Sequence, residues 1–256
     1  MRFGYHTLTW ANAYKNYGIE RPIKEIKESG FSGIEFVEPL SLLGNAGDLE
    51  KILGRENMQA VSLSCGLNMN PKDDSDIEEN ISRIKFAHRF GIKDVMLCGG
   101  WSSADVKKID EYYKILADKL NICCEYASKF KMNIAFHPHK DTIVETSEDI
   151  ETFLRFTDKP KLCVDIAHLT ACGSDPVEGI ERFKDIVTYV HFKDWDIEKD
   201  VFVELGRGDV DIMKCLETLI KIRYDGWVVV ELDHTAATPL ESAKISADYL
   251  KKAGVL

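Results

Sequence analysis

The chain has 256 residues, of which 45% are hydrophobic and 30% are charged, and its formal net charge is −10. This length and composition suit one large globular domain. The acidic balance argues against a nucleic acid or an anionic membrane surface as a partner, because both need a basic face. No run of about 18 apolar residues is present, so no transmembrane helix is expected, and the first residues lack the apolar segment of a signal peptide.

The seven cysteines form no CxxC motif, and several stand in apolar runs, as Cys98 and Cys163 do. An odd number of cysteines in such runs favours buried, reduced thiols over a disulfide framework. Because reduced thiols are typical of the cytoplasm, we expect a cytoplasmic protein.

Short β-rich runs alternate with helical patterns from the first residues to the last. Their starts are separated by about 26 to 40 residues, the size of one strand-plus-helix unit. The runs are Phe3–Thr9, Gly33–Val37, Ala60–Cys65, Asp94–Cys98, Asn133–His137, Lys161–Asp165, Val187–His191 and Trp227–Glu231. Runs such as the last are apolar on both faces, as strands of a parallel sheet covered by helices must be.

The segments between these runs carry helix start signals. Asp175 and Thr238 each precede a proline, and a glutamate stands three residues after each of them. A capping residue, a first-turn proline and a first-turn carboxylate together mark the beginning of a helix.

Eight alternating units predict a single-domain (β/α)8 TIM barrel over residues 1–256. The alternative is an open, doubly wound α/β sheet. That fold would usually show a GxGxxG turn after the first strand, and this chain has none there.

In such barrels the carboxyl ends of the strands carry the function. Strands five to eight end in His137, Asp165, His191 and Glu231. Two imidazoles and two carboxylates at one rim predict a site for one divalent metal ion. Mn²⁺ is favoured, and Zn²⁺, Co²⁺, Fe²⁺ and Mg²⁺ are alternatives. His137 is the least secure ligand, because a shift of the following loop could place His139 or Glu145 there instead.

A second layer of polar side chains follows the same strand ends. His168 stands three residues after the strand-six aspartate, and His139 and Lys193 stand two residues after strand-end histidines. His168 could contact a substrate hydroxyl or move a proton, and Lys193 could stabilise an oxyanion. The alternatives are a loop role for His139 and a simple pair between Lys193 and Asp194.

Trp10 and Asn12 follow strand one and are candidates for binding a sugar face and its hydroxyls. The alternative for Trp10 is that its indole plugs the barrel. Glu35 is interpreted as a buried, hydrogen-bonded carboxylate rather than a ligand. The glycine-containing turn from Gly206 to Asp209 is better explained as a tight turn before a helix than as a phosphate cradle.

Several segments together resemble the xylose isomerase-like TIM barrel superfamily, which includes sugar and sugar-phosphate isomerases and epimerases, inosose dehydratases and endonuclease IV. The resemblance spans essentially the whole chain, and its best segments are GYHTLTWAN, SGFSGIEF, HPHKDTIVETSEDI, VDIAHL, VHFKDW, ELGRGDVD and YDGWVVVELD. It implies a metal held by Glu, Asp, His and Glu.

Three of the four ligand positions implied by the resemblance match this chain, at Asp165, His191 and Glu231. The first position departs from the pattern, because His137 stands where a glutamate is usual. His168 matches the substrate-binding histidine of the superfamily. A His-x-His segment followed by threonine is similar to inosose dehydratases.

These observations favour a metal-dependent isomerase or epimerase of a sugar, sugar phosphate or keto-polyol, with Glu231 removing an α proton to give a metal-stabilised enediolate. The alternative is an inosose-type keto-polyol dehydratase, a lyase that loses the same proton and then a β-hydroxyl. His137 in place of glutamate favours this alternative. An endonuclease-like phosphodiesterase and a non-catalytic sugar-binding barrel are less favoured. We expect a small carbohydrate as the partner, and a homo-oligomer is left open.

Overall fold

A computed structural model of the chain describes residues 1–101 and 108–256. Its strands form a nine-stranded parallel sheet and a separate two-stranded hairpin. The strands are β1 (Arg2–His6), β2 (Gly33–Phe36), β3 (Gln59–Leu63), β4 (Cys65–Leu67), β5 (Asp94–Gly99), β6 (Asn133–His137), β7 (Lys161–Asp165), β8 (Val187–Phe192), β9 (Asp194–Asp196), β10 (Val201–Val203) and β11 (Trp227–Val230). The hairpin consists of β9 and β10.

The nine strands close into a barrel of eight positions. Strand β1 pairs in parallel with β2 on one side and with β11 on the other. Strands β3 and β4 are separated only by Ser64, and together they occupy one position between β2 and β5. The predicted (β/α)8 barrel is therefore confirmed, and the open sheet is wrong.

Helices alternate with the strands and cover the outside of the barrel. They are α1 (Leu8–Ala13), α2 (Glu20–Ser29), α3 (Leu40–Leu43), α4 (Ala46–Glu56), α5 (Ser75–His88), α6 (Asp110–Ser128), α7 (Ser147–Phe153), α8 (Ile166–Ala171), α9 (Pro176–Arg182), α10 (Ile212–Lys221) and α11 (Pro239–Lys252). The predicted caps are present, since Asp175 and Thr238 accept hydrogen bonds from first-turn amides of α9 and α11. Among the described residues, no helix combines the length and apolarity needed to cross a membrane.

The core has two layers. The larger layer lies between the strands and the helices, and a smaller cluster fills the barrel interior. Trp227 belongs to the interior cluster, and a Cβ atom at Gly33 would lie 2.5 Å from its ring. Glycine at this position is therefore what allows the indole to fit. All seven cysteines are free, and six of them are buried.

The first strand is shorter than predicted. It ends at His6, and α1 begins at Leu8, because the carbonyl of Thr7 accepts the amides of Trp10 and Ala11. This boundary makes His6 the true strand-end residue of β1. The short hairpin of β9 and β10, which lies in the loop after β8, was not predicted.

Candidate metal centre

The four predicted ligands meet at the carboxyl end of the barrel, and we call them the carboxyl-end cluster: His137, Asp165, His191 and Glu231. His137 Nε2 lies 3.6 Å from Asp165 Oδ2, and His191 Nδ1 lies 3.1 Å from Glu231 Oε2. His137, Asp165, Glu231 and His168 each offer one ligand atom, all within 4.8 Å of one another. His191 stands beside this group through its contact with Glu231.

A second arrangement shares two of these histidines. His137, His191 and the thiol of Cys163 also offer ligand atoms within 4.8 Å of one another. Cys163 lies two residues before Asp165 on β7, so both side chains point into the barrel. The sequence interpretation of Cys163 as a buried thiol is compatible with this position.

Among the described residues, several atoms of the carboxyl-end cluster are buried with no partner in hydrogen-bonding geometry, although Glu231 Oε2 lies 3.1 Å from both Lys193 Nζ and His191 Nδ1. They are both ring nitrogens of His137, Oδ2 of Asp165, Nδ1 of His191 and Oε2 of Glu231. A buried polar atom without a partner costs about 1–3 kcal/mol and calls for an explanation. Imidazole nitrogens and carboxylate oxygens suit a divalent cation, so this donor set could hold one.

Lys193 brings a positive charge to the cluster from the end of β8. Its side chain is fully buried, and Nζ lies 3.1 Å from Glu231 Oε2, 3.0 Å from Asp233 Oδ2 and 3.9 Å from Asp165 Oδ2. The alternative partner, Asp194, instead accepts hydrogen bonds from backbone amides. Lys193 therefore belongs to the interior of the site and not to a surface pair.

These charges set the protonation states of the buried groups. Burial acts to raise the pKa of both carboxylates, but Lys193 and the neighbouring histidines outweigh it and hold the pKa values of Asp165 and Glu231 below their usual range. Burial acts to lower the pKa of His191, yet Glu35 and Glu231 outweigh it and raise that pKa to about 10. Burial also opposes the charge on Lys193, but the surrounding carboxylates raise its pKa further.

The rings of His168 and His139 are in contact beside the cluster, with centroids 3.7 Å apart and their planes tilted by 39°. Lys193 Nζ lies 3.2 Å from Nε2 of His168. Burial and the Lys193 charge hold the pKa of His168 well below its usual value. Burial and the nearby His137 lower the pKa of His139 to about 4. Both rings are therefore neutral near pH 7 and can serve as hydrogen-bonding groups.

The structure distinguishes His137 from His139 and Glu145, the two alternative ligands that follow the same strand. The side chain of Glu145 turns outward, where it pairs with Lys108 at 2.8 Å and accepts the amide of Asp141 at 3.1 Å. His139 lies above the cluster, where its Nδ1 donates to the carbonyl of Lys140 at 2.5 Å. His137 is the residue of the three whose ring nitrogens lie in the cluster and lack partners.

The prediction that Trp10 contacts a sugar is wrong. Its side chain is fully buried, its Nε1 donates to Glu25 at 2.6 Å, and its ring packs edge-on against Tyr5. The reason is that α1 begins at Leu8 and turns the indole into the layer between strands and helices, so Trp10 does not plug the barrel either. Asn12 remains at the carboxyl end, where its Nδ2 donates to the carbonyl of Asp233 at 2.8 Å.

Two aromatic residues missed by the sequence analysis lie beside the site. Phe202, on β10, packs against the ring of His168 at 4.6 Å and against the ammonium of Lys193 at 4.6 Å. Trp101 packs against His139 at 4.6 Å and remains 54% exposed. No strand-end pattern marks Phe202, because it lies in the unpredicted hairpin. Trp101 could have been found, because it follows the end of β5.

Asp233 was also missed, although it stands two residues after Glu231 and the same spacing singled out Lys193. The glycine-containing turn is explained by Asp194, whose carboxylate accepts the amides of Gly206 and Gly208 at 2.9 Å each. Those amides are therefore engaged within the protein, which agrees with a tight turn better than with a phosphate cradle.

The fold and the cluster together define a TIM barrel with a candidate metal centre at the carboxyl ends of its last four strands. The chain belongs to the xylose isomerase-like TIM barrel family, whose model matches residues 23–253. The family resemblance predicted from the sequence is therefore confirmed.

Among characterised proteins, the chain is similar to the inosose dehydratase of Geobacillus kaustophilus, with 25% identity over 295 aligned positions that cover 98% of this chain and 94% of the relative. Among solved structures, it is similar to the 3-keto-D-glucoside 4-epimerase YcjR of E. coli, with a TM-score of 0.81, 17% identity and coverage of 98% and 99%. It is also similar to the IOLI protein with a bound zinc atom, with a TM-score of 0.77, 20% identity and coverage of 100% and 97%. At these identities the two structures show the shared fold alone.

Proposed function

We propose that the protein is a divalent-metal-dependent dehydratase of a keto-polyol of the inosose type. The observation that carries this proposal is the carboxyl-end cluster, in which five buried donor atoms have no hydrogen-bond partner within the described protein. The similarity to an inosose dehydratase over nearly the full length of both chains favours the lyase. This similarity outweighs the sequence features that slightly favoured an isomerase or epimerase over the dehydratase.

The cluster would hold one divalent ion through His137, Asp165, His191 and Glu231. A bound ion of this kind polarises a substrate carbonyl and makes the neighbouring C–H bond acidic. Mn²⁺ and Zn²⁺ both suit a set of two imidazoles and two carboxylates.

Glu231 is the residue best suited to move the substrate proton. Its carboxylate is ionised, because Lys193 and His191 hold its pKa well below the usual value. In the proposed reaction Glu231 removes the proton α to the carbonyl, and the C–H electron pair becomes an enolate. The enolate then expels the β-hydroxyl, which takes the proton from Glu231 and leaves as water, so that a carbon–carbon double bond forms and the carboxylate is restored.

Lys193 and His168 assist without exchanging protons. The raised pKa of Lys193 keeps it charged, so it can stabilise the negative oxygen of the enolate. The lowered pKa of His168 keeps it neutral, so it can hydrogen-bond a substrate hydroxyl and orient it. His139, Asn12 and the exposed ring of Trp101 are further candidates for contacts with the polyol.

The charges around the site favour an uncharged substrate over a phosphorylated one. Lys193 already faces three carboxylates. In the described part of the chain, the cations of the neighbouring cleft are also paired, Arg207 with Glu204 at 3.2 Å and Lys199 with Asp196. A phosphate would therefore meet no unpaired basic side chain among these residues.

The test is to incubate the manganese-loaded protein with an inosose in D₂O and to follow both water loss and deuterium uptake by mass spectrometry. We expect loss of one water from the substrate, and no reaction after the metal is removed with a chelator. Deuterium uptake without water loss would favour the epimerase or isomerase instead. Neither reaction, in protein shown to contain the metal, would contradict the proposal for this substrate class.

A further inference from the structure

We propose that Glu35 is a positioning residue that orients the ring of His191, so that Nε2 faces Glu35 and Nδ1 is presented to the metal site. The consequence for metal binding rests on the proposed function, whereas the orientation of the ring does not. From its place in the sequence, Glu35 is interpreted only as a buried, hydrogen-bonded carboxylate.

The contacts of Glu35 define which nitrogen of His191 keeps its proton when a metal ion takes the place of the other proton. Glu35 is fully buried on β2, and its Oε2 accepts hydrogen bonds from His191 Nε2 and from the hydroxyl of Tyr189, each at 2.9 Å. A carboxylate accepts only, so Nε2 must be protonated. Nδ1, on the opposite side of the ring, lies 3.1 Å from Glu231 Oε2 in the cluster.

The other oxygen of Glu35 is held by a chain of hydrogen bonds. Ser64 Oγ donates to Glu35 Oε1 at 3.2 Å, and His6 Nε2 lies 2.7 Å from the same hydroxyl. The amide of Leu8 donates to His6 Nδ1 at 3.0 Å, so the proton of His6 is on Nε2 and points to Ser64. The backbone amide of Leu8 therefore fixes the direction of every hydrogen bond in this series, from His6 through Ser64 to Glu35.

The backbone of β2 also favours this placement. Glu35 pairs with His6 across β1 and β2, and the register between β2 and β3 shifts between Ile34 and Glu35. Such irregularities re-aim a side chain and are common beside active sites. The carboxylate is thus directed into the barrel, beneath the ring of His191.

The expected consequence is a preorganised metal ligand. A ligating histidine usually donates its other ring N–H to a carboxylate or carbonyl, and loss of that partner typically weakens metal binding about 10- to 100-fold. Glu35 lies beneath the ligand set and outside it, so its removal would leave all four donors in place but would free the ring of His191 to rotate.

Glu38 provides a matched control. It is a buried carboxylate three residues further along the chain. It accepts hydrogen bonds from Thr7 at 2.7 Å and Tyr17 at 2.8 Å. Neither partner is a histidine, so a change at Glu38 should affect stability without altering the ring of His191.

The experiment compares wild type, Glu35→Gln, Glu35→Met and Glu38→Gln by ¹⁵N NMR of the histidine rings and by zinc affinity from chelator competition. Thermal melts of the metal-free proteins establish that each variant is folded. In metal-free wild type we expect a His191 Nε2–H signal far downfield, as for a proton shared with a carboxylate. This signal should move slightly in Glu35→Gln, move far upfield in Glu35→Met and stay unchanged in Glu38→Gln.

The zinc dissociation constant should rise about 10-fold in Glu35→Gln and about 100-fold in Glu35→Met, and Glu38→Gln should match wild type. A His191 proton on Nδ1 in the zinc-loaded protein, or wild-type affinity in Glu35→Met, would overturn the inference. If wild type shows the Nε2–H signal but binds no zinc, the orientation is supported and the proposed metal chemistry fails.

Discussion

The two ends of the barrel bury polar groups in opposite ways. At the amino end, around a cavity of about 320 Å³, Asn133 donates to Asp94 at 2.9 Å, and the hydroxyl of Tyr224 donates to the carbonyl of Trp227 at 2.7 Å. At the carboxyl end, the buried atoms of the metal-ligand candidates lack such partners. Among the residues described, Thr188 Oγ1 is a buried atom without a partner at the amino end, whereas five such atoms lie together at the carboxyl end, where they remain available as donors to a ligand.

The carboxylates at the two ends also differ in their pKa values. Burial raises the pKa of Asp94 and outweighs the opposite effects of the hydrogen bond from Asn133 and of the nearby Lys93 and Lys161. Asp165 and Glu231 are more deeply buried, yet their pKa values are lowered, because Lys193 and histidines lie beside them. Burial alone therefore does not distinguish a structural carboxylate from a functional one, whereas the charges around it do.

The largest expected effect separates the two ends directly. Glu231→Gln keeps the size of the side chain but removes its basicity, so exchange of the substrate α proton and water loss should both fall by about 10² or more. Asp94→Asn, at the amino end, should change the rate by no more than about twofold, since that carboxylate lies far from the proposed chemistry. Rates and bound metal are measured together, and a Glu231→Gln enzyme that retains metal and near-normal exchange would place the base elsewhere.

Metal binding should stabilise the carboxyl end. At zinc concentrations of about 100 times the dissociation constant, the free energy of unfolding should rise by about 2.7 kcal/mol. For a domain of this size that corresponds to a rise in Tm of roughly 5–10 °C. Calorimetry with and without zinc measures this shift, and His137→Ala serves as the comparison because it removes one ligand. An equal shift in His137→Ala would exclude His137 from the site.

The metal-free protein should lose stability in alkali. The pKa of His191 is raised in the folded protein to about 10, from an unfolded value of about 6.5. Its contribution is therefore complete below about pH 6.5 and is lost as the pH rises toward 10, by about 1.4 kcal/mol per pH unit at most. The lowered pKa of Glu35 affects the stability only in acid, where this carboxylate becomes protonated. Denaturant unfolding at pH 7 and pH 9 measures the loss, and His191→Gln should abolish most of it. A wild-type stability that does not fall over this range would contradict the proposed charge on His191.

The smallest effects compare an exposed indole with a buried one. Trp101→Ala removes an aromatic surface at the mouth of the site, so KM should rise about two- to tenfold. Trp10→Phe removes the hydrogen bond to Glu25 and should cost about 1 kcal/mol of stability without changing KM. Steady-state kinetics and denaturant unfolding of both variants make the test. A change in KM for Trp10→Phe alone would reverse the assignment of the two indoles.

The fold could be predicted because the barrel repeats one simple pattern. The eight apolar runs and the capping residues Asp175 and Thr238 are local signals, and the structure bears them out. The convergence of His137 and Glu231 also follows from strand ends in a known fold. The prediction for Trp10 was wrong because the end of β1 was placed too late in the sequence. The chain changes from strand to helix after a single residue, Thr7, and so short a transition leaves no clear periodicity.

The partners of the site were less accessible from sequence. The roles of Glu35 and Ser64 depend on hydrogen bonds across three strands, and Phe202 reaches Lys193 through a hairpin with no strong strand signal. Asp233 follows the same two-residue spacing that identified Lys193, so a consistent use of that rule would have found it. Site residues that follow a regular spacing along one strand can therefore be predicted from the sequence. Residues that act through contacts between strands can be identified only when the fold is known.

The central claim is that the carboxyl end of the barrel binds one divalent metal ion. The most direct test is anomalous diffraction from crystals of the protein loaded with zinc. The account predicts one strong anomalous peak about 2.0–2.2 Å from ligand atoms of His137, Asp165, His191 and Glu231. No peak at the carboxyl end, or a peak bound by residues elsewhere in the protein, would contradict it.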